Sequence, residues 1–75
     1  MAICAEAVLS VEPTLNLLVI KCLAGTANAV CAALDSMGLP DVLGTIAGDD
    51  TIFVALRSTD STSTLAEKLR FILKK

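Results

Sequence analysis

The sequence predicts a two-layer α+β domain of order β-β-α-β-β-α, with a four-stranded, mainly antiparallel sheet and two helices on one of its faces. Three observations carry that prediction. Apolar residues alternate with a period of two near the amino terminus, they recur at helical spacing in two later segments, and glycine, proline or aspartate punctuates the junctions. Two helices cover one face of such a sheet, and the other face has no covering element in the chain.

From Ile3 to Val11 the odd positions are all apolar, while Glu6, Ser10 and Glu12 fall on even ones, which reads as a strand with one wet face ended by Pro13. Leu15 to Ile20 follows as a second strand, apolar on both faces as a central or interface strand would be. After Gly25 the period changes. Ala27, Val30, Cys31 and Leu34 form a helical stripe, Thr26 is placed to cap its start, and Gly38 and Pro40 stop it. Val42 to Ile46 and Thr51 to Leu56 are short β-rich stretches joined by Ala47-Gly48-Asp49-Asp50, a tight turn. Ser58 to Thr64 reads as a loop leading into a last helix that begins near Ser61 to Thr64. Thr64 and Glu67 are spaced there as a capping box, and Leu65, Leu69, Ile72 and Leu73 share one broad face.

The length of 75 residues fits one domain, 1–75, and 55% of the chain is apolar, above the ~45–50% of ordinary domains. A chain this short buries only roughly 60–65% of its unfolded surface, so something must cover the surplus. Cys4, Cys22 and Cys31 are odd in number and widely spaced, and the chain has no histidine. They suit buried, reduced thiols better than a disulfide framework or a zinc site. Self-association remains, and the uncovered sheet face is the expected subunit contact. The longest apolar run, Ala29 to Leu34, is far too short for a membrane span. The amino terminus has no basic segment and carries Glu6 where a signal peptide needs an apolar core, so a cytoplasmic, reducing compartment is favoured. Four of the six bases lie in the last eight residues, leaving residues 1–67 with two bases against eight acids, a balance of −6. That sign is wrong for a phosphate backbone and right for a cationic small ligand.

Few residues are placed for chemistry. Asn28 and Asp35 return to within about 20° of each other on the first helix, with Ala32 between them, and offer both donors and acceptors at a shallow cleft. On spacing alone a plain solvated helix face is the more ordinary explanation. Asp49 and Asp50 are adjacent after Gly48, and adjacent carboxylates repel unless a cation or hydrogen-bond donors relieve them. A guanidinium, whose planar fork matches a carboxylate, is one such cation, and Mg²⁺ or Ca²⁺ is another, although no further oxygen ligands stand at motif spacing. Turn chemistry alone also places aspartate beside glycine. Catalytic readings are thin, since histidine, tyrosine, a GxSxG elbow and a phosphate-cradling loop are all absent. Cys31 lies on the apolar stripe and belongs to packing.

The segment from Leu43 to Phe53, LGTIAGDDTIF, resembles the signature of the bacterial arginine repressor carboxy-terminal domain. Upstream, NLLVIKCLAGTANAVCAALDSMGLPDVLG is similar to that family's second strand, glycine-containing turn and first helix ending in an LD pair. The likeness runs over about residues 3–73 and is densest from Leu17 to Leu56. It implies an L-arginine-binding oligomerisation domain that forms trimers stacked in pairs, with arginine as corepressor near the boundary between trimers and no other cofactor. Asp49 and Asp50 match the arginine-binding aspartate pair, one reaching across to a ligand held by the opposite trimer. Asp35 matches the helix aspartate near the ligand's amino-acid end, and Asn28 stands where members often place glutamine or histidine. The shorter Asn28 implies contact through water, and Ala24, in place of a common proline, implies a looser turn. The family's amino-terminal winged-helix domain has no counterpart in these residues, so the expectation is an isolated core that meets operator DNA only through that missing part. Two rivals stand beside this reading: an assembly module in which the GDD turn is purely structural, and, more distantly, a small metal-dependent enzyme.

Overall fold

A two-residue turn joins the first pair of strands, β1 (Val8–Thr14) and β2 (Leu17–Cys22), which run antiparallel. A computed structural model describes residues 5–75; Ile3, Cys4 and the expected beginning of the first strand lie outside the described residues. The strand differs from its expected span at both ends. Residues 5–7 form a turn, and β1 runs on through Pro13, which pairs with Leu18. Proline is tolerated there because β1 is the edge of the sheet, with no strand on its outer side. The expected alternation also breaks. A bulge between Val8 and Ser10 leaves Leu9 out of the pairing, so Val8 and Val11 both face the core while Leu9 is exposed. Leu15, expected to start β2, sits in the turn at φ 48° and is exposed.

Helix α1 (Ala27–Ser36) leads to β3 (Val42–Ala47) and β4 (Thr51–Leu56), and α2 (Thr59–Leu73) closes the chain. The sheet order is β1-β2-β4-β3, with every neighbouring pair antiparallel. Helix α2 lies across β1 and β2 while α1 lies across β3 and β4. The α+β, β-β-α-β-β-α reading therefore stands. As expected of a central strand, β2 buries Leu18, Ile20 and Cys22 under the helices and half-buries Leu17 and Val19 on the other face. The core gathers Leu18, Ile20 and Cys22 with Val30 and Leu34 of α1, Ile52, Val54 and Leu56 of β4, and Leu65, Leu69 and Leu73 of α2.

Two caps differ from expectation. The last helix starts at Thr59, earlier than the expected Ser61 to Thr64, because Ser58 is its cap: the Ser58 Oγ accepts from the Ser61 N–H at 3.0 Å. Thr64 and Glu67 lie inside the helix, and the serine-threonine stretch read as a loop is its first turns, anchored by buried Thr62 donating to the Ser58 carbonyl at 2.8 Å. Thr26 precedes α1, but its hydroxyl donates to the Leu23 carbonyl at 2.7 Å and caps nothing. At the other margin, Arg70 of α2 donates through Nε to the Val11 carbonyl at 3.0 Å and through Nη2 to Glu12 at 2.9 Å, tying the helix to the edge strand.

On the face away from the helices, Glu12, Val19, Phe53 and Ile46 stand in one row across the four strands, and Leu17, Ala55 and Gly44 lie in a neighbouring row. Phe53 is 47% and Ile46 70% exposed, a substantial apolar surface left uncovered. Truncating the core and the cap separates their contributions. Leu69→Ala, at a fully buried position, is expected to cost about 2–5 kcal/mol and Ser58→Ala about 1 kcal/mol, measured by urea unfolding at one fixed protomer concentration.

Candidate functional site

The β3–β4 turn is Gly48-Asp49-Asp50, closed by the Gly48 N–H donating to the Thr51 carbonyl at 2.8 Å. Three further main-chain bonds fasten it to the connection between β2 and α1. The Asp50 carbonyl accepts from Cys22 N–H at 2.7 Å, and the Asp49 carbonyl accepts from Gly25 at 3.1 Å and Ala27 at 3.3 Å. The last of these takes a first-turn N–H of α1 that a helix leaves without an internal partner, so the turn's backbone supplies the cap that Thr26 does not. Residues 23–26 form a β-turn of their own, with Thr26 N–H on the Leu23 carbonyl at 3.1 Å and Gly25 at φ +80°. Gly25 holds the position that needs a left-handed backbone, and Ala24 the one proline favours. The turn closes with alanine there.

The two aspartates are thus carried to the amino-terminal end of α1, where the helix dipole favours negative charge. Both are exposed, and Asn28 in the first turn of α1 is exposed beside them. Their side chains differ in company. Asp50 Oδ1 accepts from the Thr51 hydroxyl at 2.8 Å and lies 3.7 Å from the Lys21 ammonium, which itself donates to Thr51 Oγ1 at 2.6 Å. The Thr51 hydrogen bond, and next the Lys21 charge, hold the Asp50 carboxyl below the usual carboxylate range. Among the described residues nothing donates to the carboxylate of Asp49 or pairs with the Asn28 amide.

Asp35 stands apart. It is on the same exposed face as Asn28 and Ala32, but seven residues along a helix is about 10 Å, so it lies at the other end of α1. There its Oδ1 accepts from the Thr45 hydroxyl at 2.7 Å, and Thr45 in turn accepts from the buried Cys31 thiol at 3.1 Å. The groove beside Asp35, about 300 Å³, is walled by Leu34, Gly38, Leu39, Val42, Leu43 and Gly44, not by Asn28, so the shallow cleft expected between the two does not join them. The chain accordingly gathers Asn28, Asp49 and Asp50 at one end of α1 and sets Asp35 at the other. A larger groove of about 380 Å³ between α2 and the α1–β3 connection touches none of the four.

Three residues join the site that sequence reading passed over: Lys21, Thr51 and Thr45. The pairing of Lys21 with Thr51 depends on β2 lying beside β4, and only strand order reveals it. Cys22 and Cys31 are buried and in no disulfide, and among the described residues no three His, Cys, Asp or Glu side chains are grouped to hold a metal ion.

Gly48 has neither a left-handed φ nor a crowded Cβ position. A side chain there would meet only the Thr51 carbonyl, at an ordinary 3.7 Å. The fold of one chain leaves room for alanine at this position, and at Gly25 it is the left-handed backbone, not lack of space, that favours glycine.

The depressed titration of Asp50 has a definite sign. Its contribution to stability is present above the unfolded aspartate value and is lost as pH falls through the lower folded one. Thr51→Val is expected to move the Asp50 midpoint upward by more than Lys21→Met does, read by carbon-detected NMR of the side-chain carboxyl.

Known proteins resemble this chain over most of its length. A sequence profile of the family described as the arginine repressor, C-terminal domain, matches residues 4–70. The arginine repressor of Symbiobacterium thermophilum is 46% identical over 69 residues, covering 92% of this chain and 46% of that protein. The arginine repressor of Alkaliphilus metalliredigens has the same identity and coverage. That of Thermotoga petrophila is 44% identical over 64 residues, 85% of this chain and 42% of its own length. The chain spans about half the length of these relatives. The chain belongs to the arginine repressor carboxy-terminal domain family.

Proposed function

We propose that residues 1–75 form one arginine-binding and oligomerisation domain, the core of a transcriptional repressor of arginine metabolism. L-arginine is its corepressor, bound where subunits meet, and the same chain builds trimers and pairs of trimers. Asp49 and Asp50 receive the guanidinium, while Asn28, Asp35 and main-chain groups at the helix end hold the amino-acid portion. Ligand and carboxylates come from different subunits, so arginine adds contacts that separate trimers lack and favours the hexamer by linkage.

One observation supports this reading above the others. Both aspartates anchor their turn through main-chain carbonyls, which any residue would supply, and the side chain of Asp49 is left without a partner among the described residues. The carboxylate of Asp49 is therefore surplus to the turn. The uncovered row of Val19, Phe53 and Ile46 supports self-association through the sheet. Operator DNA is reached through the family's amino-terminal domain, since the matched core is acidic. Among the described residues no helix is long and apolar enough to cross a membrane, and a regulator of transcription in bacteria works in the cytoplasm. The rival reading, an assembly module with a purely structural GDD turn, draws support from the same main-chain bonds.

Calorimetry separates the two. L-arginine is expected to bind the wild-type protein, to lose roughly tenfold or more in affinity on Asp49→Ala or Asp50→Ala, and to outcompete citrulline, which keeps the shape without the charge. Unchanged affinity in both variants, or equal binding of citrulline, would sink the guanidinium site.

A further inference from the structure

The paired aspartates are not equivalent. Lys21 on β2 stands opposite Thr51 on β4, and its ammonium reaches across the strands to the Thr51 hydroxyl at 2.6 Å, with Asp50 Oδ1 3.7 Å away. Thr51 donates its own proton to that same Oδ1. One carboxylate oxygen is thereby held by a hydroxyl and a cation supplied from within the chain, while Asp49 has neither. Lys21 and Asp50 are each about half exposed, 47% and 52% at the side chain, so the pair exchanges without unpacking the core. With Lys21 in place the acidic turn presents one net negative charge instead of two, the balance for a single guanidinium.

We propose that Lys21 is a built-in competitor for the cationic ligand: Asp49 receives the guanidinium directly, and Asp50 offers it both carboxylate oxygens only by giving up the Lys21 ammonium on Oδ1. The proposal rests on the reading of Asp49 and Asp50 as a guanidinium site. It makes Lys21 an affinity-setting residue, weakening arginine binding so that the site answers to a higher ligand concentration. The neighbouring bases do not share the role. Arg70 is committed to Val11 and Glu12 on the edge strand, and Arg57 lies six residues from Thr51, about 20 Å along the strand direction.

The test is calorimetric titration of L-arginine into wild-type, Lys21→Met and Arg57→Met proteins at one modest salt concentration. Loss of an exposed competing ion pair is expected to tighten binding about two- to fivefold in Lys21→Met, with Arg57→Met unchanged. Equal tightening in both variants would assign the effect to the general field of the protein and overturn the proposal. Affinity unchanged in Lys21→Met would also overturn it, as would weaker binding, which would place the ammonium on the ligand's carboxylate; in either case the guanidinium site itself would stand. A wild-type protein that takes up no arginine would overturn the proposal together with the reading beneath it.

Discussion

The candidate site depends on three main-chain hydrogen bonds, from Cys22 to the Asp50 carbonyl and from Gly25 and Ala27 to that of Asp49. They join a hairpin turn to the start of a helix more than twenty residues earlier in the chain, and satisfy polar groups that both elements would otherwise leave open. Because the backbone carries the structural load, the side chains of the turn are free to differ in role. Asp50 is partnered from within by the Thr51 hydroxyl and the Lys21 charge, and Asp49 is not. The same bonds fix the turn relative to Asn28. Asp35 is positioned independently, by Thr45 on β3 and, behind it, the thiol of Cys31.

A second constraint comes from size. Two helices bury one face of the sheet and leave Val19, Phe53 and Ile46 outside, which is costly for a chain with so little interior. Under the proposed function other subunits cover that face, which resolves the apolar surplus. Assembly and ligand binding are in this view one arrangement: the surface that needs a partner adjoins the charges that need a cation.

Much of this was legible in the residues. Element order, the two-sided apolar character of β2, the GDD turn and the apolar stripes of both helices follow from periodicity and punctuation. The misplaced details share a physical origin in tertiary context. A one-residue bulge at Leu9 reverses the phase of β1, and Pro13 is admitted because its strand lies at an edge. Ser58, not Thr64, starts α2, since a serine accepting from the third residue of the helix caps as well as the glutamate-bearing pattern that stood out. For the site, Asn28, Asp35, Asp49 and Asp50 could be singled out by spacing and resemblance, but their division between the two ends of α1 could not. Nor could Lys21, whose place beside Asp50 is set by a strand pairing thirty residues away in sequence.

The central claim is that arginine binds between subunits and thereby links trimers. It is tested most directly by light-scattering mass on a sizing column across a range of protein concentrations, with and without millimolar L-arginine. The account predicts a shift from trimer to hexamer, or a hexamer that resists dilution only when arginine is present. A mass indifferent to arginine at every concentration would contradict it and leave the domain an assembly module whose acidic turn is structural.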